Sequence, residues 1–431
     1  MARRNMSLSS IERNNPQWIG RSVLTRVGYR RKIFESVLKA VYDNKVVIIE
    51  GPLGVGKSTL VKHIVNELYD VVGGSNILYL PCDTETIRVE EAKTYFFENV
   101  SSGGGDVYVF LDEFLMMPNY KEFVSDLLKR ENVHIVMVTS YSPEKYFDLG
   151  VSYKRFIIKP LTFREFLEFH GYDSPSLGRD PIEVRNFYIE HIEYDSLYEK
   201  YLLRGGFPAY DLDMEDDDVR RRVRDNLQLL LYKYFTRIGR RRRPVIADRL
   251  LAQICFEPGE AVNYNVLSQS IERDIRTVSS YIKTLSDAFM INIVRHMVDD
   301  GHEGRKLPKI YPYSPAYPLS LHPQRMPERE FMASIVESHI VLERGVKTYI
   351  RRASGVDVLI HESGDGKIPI LVTYGKRGSK RDVKKVVNTL RKLGSDWGFL
   401  VVKETYEFLK YGDMDVWVVP AWLFSLIEFG Q

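Results

Sequence analysis

Apolar and polar positions near the start of the chain follow two alternating patterns. Short apolar runs, rich in β-branched residues, are VVIIE (46–50), NILYLP (76–81), DVYVFLDEF (106–114) and HIVMV (134–138). Continuous runs of this kind are typical of strands that are covered on both faces, as in a parallel α/β sheet. After the first run, apolar residues recur at helical spacing, at Leu60, Val61, Ile64, Val65 and Leu68. We therefore predict an α/β fold with a parallel sheet, which RFIIKPL (155–161) completes as a fifth strand.

The stretch between the first strand and the first helix matches the P-loop pattern. It reads GPLGVGKST (51–59), and Gly51, Gly56, Lys57 and Ser58 satisfy the motif. Its glycines allow backbone N–H groups to turn towards phosphate oxygens, and the helix that follows adds its N-terminal dipole. We therefore predict that a nucleoside triphosphate binds to Gly51, Pro52, Leu53, Gly54, Val55, Gly56, Lys57, Ser58 and Thr59.

Four side chains in and beyond the P-loop define the expected chemistry. Lys57 would bridge the β- and γ-phosphates, and the Ser58 hydroxyl would bind Mg²⁺. Asp112, at the end of a predicted buried strand, would hold the Mg²⁺ shell, and Glu113 would polarise the attacking water. The sequence thus predicts Mg²⁺ as a cofactor together with ATP, since no guanine-reading Asn/Thr-Lys-x-Asp stretch is evident.

An additional strand and a polar strand end are typical of the P-loop class that uses a catalytic glutamate. The additional strand is NILYLP (76–81), which lies between the P-loop and Glu113 in the sequence. The polar end is Thr139-Ser140, which follows HIVMV (134–138). In that class a polar residue at this place senses the γ-phosphate. Either Thr139 or Ser140 is the candidate for this sensing role. The alternative is that both residues only end a strand and have no contact with the nucleotide.

Five segments together resemble a known family, the predicted AAA+-like ATPases of archaea and bacteria. They are GPLGVGKST (51–59), VFLDEF (109–114), VTSYS (138–142), RFIIKPLTFREFLEF (155–169) and YLLRGGFPAY (201–210). The resemblance implies four domains: a P-loop ATPase core over 1–160, a helical lid over 161–243, a winged helix with a connector over 244–327, and a restriction-endonuclease-like domain over 328–431.

The chain departs from this family inside the P-loop. The family often has an arginine directly before the variable centre of the loop, where this chain has Leu53. Arg155 resembles the family arginine before the last strand, and it is a candidate to supply the missing positive charge. The alternative is that Arg155 is a surface arginine at a strand edge.

A basic amphipathic pattern, VRRRVRDNLQLLLYKYFTRIGRRRR (219–243), directly follows the acidic stretch DLDMEDDD (211–218). Its apolar side chains recur at helical spacing, at Val219, Val223, Leu227, Leu230, Tyr234 and Ile238. Acids at the start and arginines at the end suit the helix dipole. The arginines leave three interpretations open: solvated helix ends, binding of nucleic-acid phosphates by Arg241 and Arg242, or an arginine supplied to a neighbour in a homo-oligomer.

The pattern of residues 246–294 predicts a winged helix. Three helices, IADRLLAQICFE (246–257), YNVLSQSI (264–271) and IRTVSSYIKTLSDA (275–288), precede a wing strand, FMINIVRHMV (289–298). The expected outward face consists of Arg273, Arg276, Thr277, Ser280 and Lys283. Such residues on the second helix of a helix-turn-helix suit contact with DNA. The alternative is a winged helix that packs only against protein.

The last part of the chain resembles a restriction-endonuclease core and follows a connector at 305–328 that is rich in Pro and Tyr. Asp357 and Glu337 match acidic positions of that fold, but the strand expected to carry an acid and a lysine reads LVT (371–373). Lys376 lies beyond this strand without an accompanying acid. Because hard cations need several oxygen ligands, we expect no DNA cleavage here and a role in docking or dimerisation.

The overall composition excludes few classes of protein. The chain has 431 residues, 28% of them charged, and a net charge of +3, so any surface for nucleic acid must be local. Its two cysteines, Cys82 and Cys255, suit a reducing compartment. No signal-like N-terminus and no long apolar run are evident, so we expect a cytoplasmic protein without a membrane span.

The function predicted from these features is an Mg²⁺-dependent ATPase that couples its nucleotide state to a DNA-binding winged helix. Two alternatives stay open. One is a slow nucleotide switch that binds protein partners. The other is a nuclease with an attached ATPase, which the missing acid and lysine weaken.

Overall fold

The computed structural model describes residues 10–23, 28–84, 87–101, 104–142, 150–234, 236, 243–297, 307–351, 357–364 and 366–429. The chain divides into two compact units. The first comprises residues 1–159, 233–242 and 287–289, and the second comprises residues 160–232, 243–286 and 290–431. Within the described ranges, no helix has the length and the apolar character that a membrane crossing requires.

The first unit is built on a parallel sheet whose strands are β1 (Val46–Glu50), β2 (Ile77–Pro81), β3 (Val107–Asp112), β4 (Val133–Thr139) and β5 (Lys154–Ile157). They pair in the order β2–β3–β4–β1–β5. All residues of β1, β3 and β4 are buried, as expected for strands covered on both faces. Because β4 lies between β1 and β3, the residue that follows β4 is placed between the P-loop and the acidic pair.

Helices complete the first unit: α1 (Phe34–Asp43), α2 (Lys57–Val72), α3 (Val89–Tyr95) and α4 (Tyr120–Leu128). The apolar residues predicted for the first helix lie on α2, and all five are buried. The predicted parallel α/β sheet with its fifth strand is therefore confirmed.

The second unit opens with α5 (Phe163–Phe169), α6 (Pro181–Glu190), α7 (Tyr194–Arg204) and α8 (Asp216–Leu229), and a π-helical turn at Leu230–Tyr234 continues α8. Thr162 and Glu165 form a capping box that starts α5. Two of the segments that resemble the family, RFIIKPLTFREFLEF (155–169) and YLLRGGFPAY (201–210), are in contact here. The Leu161 N–H donates to the Gly206 carbonyl at 2.8 Å.

Three helices and an antiparallel strand pair follow. They are α9 (Pro244–Phe256), α10 (Tyr264–Ser270), α11 (Ile275–Asp287), β6 (Ile291–His296) and β7 (Lys309–Pro312). The apolar residues expected to join α10 and α11 are buried: Leu267, Ile271, Val278, Ile282 and Leu285. This element order is the one expected of a winged helix, which stays a prediction.

The segment expected as an extended connector differs from the prediction. It contains β7 and a short helix, α12 (Ala316–Leu321), and residues 309–320 are all buried. Its tyrosines, among them Tyr311, Tyr313 and Tyr317, supply large apolar rings that pack inside the second unit. A Pro- and Tyr-rich composition therefore marks a buried segment here.

The rest of the second unit consists of α13 (Arg329–Arg344), β8 (Thr348–Arg351), β9 (Asp357–Ser363), β10 (Gly366–Val372), α14 (Lys380–Leu393), β11 (Trp397–Val402), β12 (Glu407–Tyr411), β13 (Met414–Pro420) and α15 (Ala421–Leu426). The strands form a mixed eight-stranded sheet in the order β12–β13–β11–β10–β9–β8–β6–β7. The strand expected for the wing, β6, thus shares a sheet with strands of the last predicted domain. The four domain limits stay predictions.

Candidate functional site

The P-loop links the carboxyl end of β1 to the first residue of α2. Gly51 and Gly56 have φ angles of 155° and 94°, which non-glycine residues rarely adopt. A Cβ on Gly51 would also collide with the Ile158 carbonyl, so glycine is needed there for space as well as for conformation. No side chain caps the start of α2, so its first N–H groups keep their capacity to bind an anion.

Lys57 is buried at the start of α2, with 4% of the residue exposed. Its Nζ donates to the carbonyls of Gly51 and Pro52, both at 2.9 Å, and to Ser140 Oγ at 2.8 Å. Burial lowers the pKa of Lys57, although the negative charges of Glu113 and Asp112 act in the opposite direction. The ammonium group is therefore held at the loop at an electrostatic cost that additional anionic oxygens would relieve.

Glu113 follows β3 in a left-handed backbone conformation, with φ of 55°. One carboxylate oxygen accepts a hydrogen bond from the Ser140 N–H at 2.9 Å, and the other accepts one from the Ser140 hydroxyl. Lys57 Nζ lies 3.9 Å from Glu113 Oε1. Burial raises the pKa of Glu113, against the opposing effects of Lys57 and Ser140. A carboxylate with a raised pKa is a stronger base than an exposed carboxylate.

Asp112 ends β3 and is also buried. Its Oδ2 accepts a hydrogen bond from the Tyr79 hydroxyl at 2.5 Å, whereas its Oδ1 is buried with no hydrogen-bond partner among the described residues. A buried carboxylate oxygen without a donor is costly unless a ligand completes it. Burial, followed by the charge of Asp112, raises the pKa of Tyr79, so the phenol stays protonated and keeps donating.

Tyr79 was missed by the sequence analysis. It pairs with Phe110 across the β2–β3 ladder, so its side chain points to the same face as Asp112, two residues further on. A hydroxyl inside an otherwise aliphatic predicted strand was the available signal.

Thr139 and Ser140, the two candidates at the end of β4, have different partners. The Thr139 hydroxyl donates to the Tyr141 carbonyl at 3.0 Å and accepts from the Tyr141 N–H at 3.1 Å. Ser140 instead connects Lys57 to Glu113 through its hydroxyl. Of the two, Ser140 joins the charged cluster and Thr139 stabilises the strand end.

Arg155 lies on β5, the edge strand beside β1. Its Nε and Nη2 contact the two carboxylate oxygens of Glu50 at 2.5 and 2.8 Å, and Nη2 also donates to Ser142 Oγ at 2.6 Å. Glu50 is fully buried, so this bidentate pair neutralises a charge at the end of β1. Glu50 is thus a partner that sequence reasoning did not assign to Arg155.

The residues expected to contact DNA lie on or directly before α11. Arg273, Arg276 and Lys283 are exposed, and Thr277 and Ser280 are partly buried. Thr277 donates its hydroxyl to Asp274 at 2.6 Å, so it takes part in the start of the helix. Ser279, also exposed, belongs to the same face by its spacing from Arg276 and Lys283, although the sequence analysis did not include it.

The arginines in the first turns of α8 have local partners. Arg220 and Arg221 pair with Asp217 and Asp218. These contacts are the ordinary ion pairs of a solvated helix. Arg241 and Arg242, named as candidates for binding nucleic acid, lie outside the described residues.

The two acids of the endonuclease-like region lie on either side of a buried lysine. Lys309 Nζ, on β7, is 2.8 Å from Glu337 Oε1 and 3.4 Å from Asp357 Oδ2. The Tyr311 hydroxyl also donates to Glu337, and Arg351 Nε lies 3.3 Å from Asp357 Oδ1. Within the described ranges, no group of three His, Cys, Asp or Glu side chains is placed to hold a metal ion. Lys309 was another residue that the sequence analysis missed, because it lies far from both acids in the chain.

Comparison with family models matches residues 43–167 to a model described as an AAA domain. Residues 195–316 match a domain of unknown function (DUF8612). Residues 43–167, which include the P-loop, the acidic pair and the polar strand end, are therefore similar in sequence to an AAA domain. A search of curated protein sequences gives no significant match.

Solved structures with a similar chain trace include a Walker-type ATPase of Pyrococcus abyssi, at 12% identity and a TM-score of 0.41, covering 68% of this chain and 96% of that one. Another is DnaA of Aquifex aeolicus bound to AMPPCP, at 14% identity and a TM-score of 0.25, covering 61% and 89%. A third is the RuvB Holliday junction branch migration motor of Thermotoga maritima, at 16% identity and a TM-score of 0.28, again covering 61% and 89%. Likeness at this level does not establish a shared activity.

Proposed function

We propose that the protein binds ATP with Mg²⁺ at its P-loop and hydrolyses it with Glu113 as the general base. The observation that carries this proposal is the continuous contact from Lys57 through Ser140 to Glu113. It joins the residue that binds phosphate to the residue that would orient water, through the end of the strand between them. The AAA domain match over residues 43–167 supports the same conclusion.

The described residues fit a triphosphate. The glycine-rich backbone of residues 51–56 and the uncapped start of α2 offer N–H donors, and the buried Lys57 ammonium group supplies positive charge. Gly51 to Thr59 would hold the phosphates. Arg155, on the strand beside β1, forms an ion pair with Glu50. To contact the phosphates, Arg155 would have to leave Glu50 or bind both partners at once.

The fit for Mg²⁺ depends on Asp112 and Ser58. Asp112 Oδ1 is a buried oxygen without a hydrogen-bond donor among the described residues, and Ser58 follows Lys57 at the start of α2. Both are oxygen ligands of the kind that Mg²⁺ prefers, with the remaining positions left to phosphates and water. Bound Mg²⁺ would neutralise charge on the phosphates during hydrolysis.

Glu113 would act by holding and accepting a proton. Its carboxylate is fixed by two donors from Ser140, which orient it, and its raised pKa makes it a stronger base than an exposed glutamate. Ser140, in contact with both Lys57 and Glu113, would report on the γ-phosphate. Thr139 is assigned no part in this step because its hydroxyl serves Tyr141.

We further propose that α11 binds DNA and that the nucleotide state controls this binding. Arg273, Arg276 and Lys283 present positive charge on the exposed side of a helix whose opposite side is buried. Arg and short hydroxyl side chains on such a helix suit phosphate and base contacts. A homo-oligomer, with an arginine from a neighbour at the nucleotide, stays a prediction.

The endonuclease-like region is proposed to lack nuclease activity. Lys309 is paired with both Glu337 and Asp357, so an internal ammonium group lies where two carboxylates would otherwise be available to a cation. Metal-dependent DNA cleavage by the purified protein, lost in Asp357→Ala, would overturn this part of the proposal.

Steady-state ATP turnover with and without duplex DNA tests the coupling. We expect DNA to stimulate turnover in the wild type and to have no effect in the double variant Arg273→Gln/Arg276→Gln, whose basal turnover stays unchanged. The matched control Arg88→Gln/Arg185→Gln removes two exposed arginines outside α11 and should keep the stimulation. Slow turnover that does not respond to DNA would instead favour a nucleotide switch with protein partners.

A further inference from the structure

The exposed side of α14 and the turn before it form a strongly basic surface. Residues 376–392 contain eight lysines and arginines and a single acid, Asp382. This local excess is larger than the net charge of the whole chain, which is +3, so the rest of the chain is net negative. The positive charge of this protein is therefore concentrated rather than spread evenly.

The positive charges lie along one side of the helix. Exposed basic residues at Lys380, Arg381, Lys384 and Arg391 lie on one side of α14 and, together with the exposed Arg377 in the turn before it, form what we call the basic face. The opposite side of α14 is buried against the eight-stranded sheet through Val383, Val386, Val387 and Leu390. With a rise of about 1.5 Å per residue, the part of the basic face from Lys380 to Arg391 extends over about 17 Å on a helix that packing holds rigid.

Within the described part of the chain, no acidic side chain pairs with the basic face. Asp382 is occupied by Lys385, at 2.8 Å, and by the Ser379 cap of the helix, and Lys376 pairs with Glu404 at 3.7 Å. Among the described residues, no member of the basic face makes an ion pair or a hydrogen bond through its side chain. Neighbouring like charges without counter-charges repel one another, so this arrangement favours a polyanionic ligand.

The basic face has no large exposed apolar side chains, and this indicates which type of polyanion it binds. An amphipathic helix that binds a membrane surface inserts apolar side chains, but residues 376–393 include none of the large exposed apolar residues of the described chain. The apolar side of α14 is already covered by the sheet. A rigid, straight row of lysines and arginines complements the regular row of phosphates along a nucleic acid.

We propose that the basic face of α14 binds the phosphate backbone of duplex DNA without reading its sequence. Lysine and arginine contacts to phosphates position a protein on DNA and carry no sequence information. The region that resembles an endonuclease would thus hold DNA through a helix remote in sequence from Glu337 and Asp357, instead of cutting it. This inference is independent of DNA contact by α11.

The test is fluorescence anisotropy with the full-length protein and a labelled random-sequence DNA duplex, over a series of salt concentrations. The variant Lys380→Gln/Arg381→Gln/Lys384→Gln/Arg391→Gln changes only exposed side chains, and tryptophan fluorescence would verify that it is folded. We expect the slope of log affinity against log salt to decrease by up to about 3.6, since each lost phosphate contact accounts for about 0.9. At about 0.1 M salt, affinity should fall at least about tenfold, equally for unrelated sequences.

The control variant Lys39→Gln/Arg88→Gln/Arg185→Gln/Lys200→Gln removes the same number of exposed positive charges elsewhere and should keep most of the affinity and slope. Three results would overturn the proposal: no binding of the duplex by the wild type, wild-type affinity and slope in the α14 variant, or an equal loss in the control. Binding to anionic lipid vesicles that depends on α14, with DNA binding unchanged, would assign the face to a membrane instead. The Arg273→Gln/Arg276→Gln variant, measured in parallel, shows separately whether α11 contributes.

Discussion

The two units each contain a buried lysine beside two carboxylates, but the lysines are in opposite electrostatic situations. Lys57 lies 3.9 Å from Glu113 and donates mainly to carbonyls and to Ser140. Lys309 contacts both of its acids, at 2.8 and 3.4 Å. Burial lowers the pKa of Lys57. Burial also acts to lower the pKa of Lys309, but the charges of Glu337 and Asp357 and their hydrogen bonds together raise it.

This difference shows that the same residue types can build either a site for a ligand or an internal ion pair. At the P-loop, the Asp112 oxygen without a donor and the incompletely paired Lys57 leave charge for phosphate and Mg²⁺ to complete. At Lys309, the protein supplies the counter-charges itself: Asp357 Oδ1 also accepts no hydrogen bond among the described residues, but Arg351 Nε lies 3.3 Å away and Lys309 contacts both acids.

Replacing Glu113 with glutamine has the largest expected effect. The substitution keeps the size of the side chain and removes the base, so ATP turnover should fall by about two to four orders of magnitude while nucleotide affinity is retained. Steady-state turnover and nucleotide titration measure the two quantities. The same change at Glu122, an exposed residue on α4, is the matched control and should have no effect. Normal turnover in Glu113→Gln would show that the base has been assigned wrongly.

Replacing Lys309 with methionine should destabilise the second unit by about 3 kcal/mol, because it leaves the partly buried Glu337 without a cationic partner and Asp357 with Arg351 alone. Urea unfolding followed by tryptophan fluorescence reports on this unit, which contains Trp397, Trp417 and Trp422, three of the four tryptophans. The control Arg351→Gln removes a more exposed partner of Asp357 and should cost less than about 1 kcal/mol. Equal losses from both variants would contradict the account of Lys309.

Replacing Ser140 with alanine should shift the pH dependence of turnover. Glu113 must be ionised to act as a base, so activity falls as the pH drops through its raised pKa. The hydrogen bond from the Ser140 hydroxyl favours the ionised form, so its loss raises this pKa further, whereas the backbone N–H donor of residue 140 is kept. A charge-assisted hydrogen bond worth about 1.5 kcal/mol corresponds to a shift of the acid limb by about one unit towards higher pH. Thr139→Ala should leave the acid side of the pH–turnover profile unchanged. An unchanged profile in Ser140→Ala would contradict the proposed effect of Ser140 on Glu113.

The first unit was largely predictable from sequence, because the features that specify it are local. The apolar runs at 46–50 and 134–138 match β1 and β4 closely, and the P-loop follows directly in the chain. Glu113 was identified for the same reason, since it ends a buried run. Tyr79 and Glu50 were missed because their partners, Asp112 and Arg155, are brought to them only by strand pairing.

The second unit was harder to predict because its key contacts join distant segments. Lys309 lies on a strand assigned to a connector, yet it pairs with Asp357 across the sheet. The strand pair β12–β13 and the helix α15 were not identified. The apolar side of α14 packs against the sheet, but a sequence alone does not show which of the charges on this helix the fold neutralises.

Isothermal titration of ATP with Mg²⁺ into the folded full-length protein is the most direct test of whether the P-loop unit is a ligand site. We predict saturable heat of association in the wild type. Affinity should be about 10- to 100-fold weaker in Lys57→Ala, from the loss of charge-assisted hydrogen bonds. Absence of any heat with ATP or GTP, in protein whose far-UV circular dichroism shows it to be folded, would contradict the proposed nucleotide site.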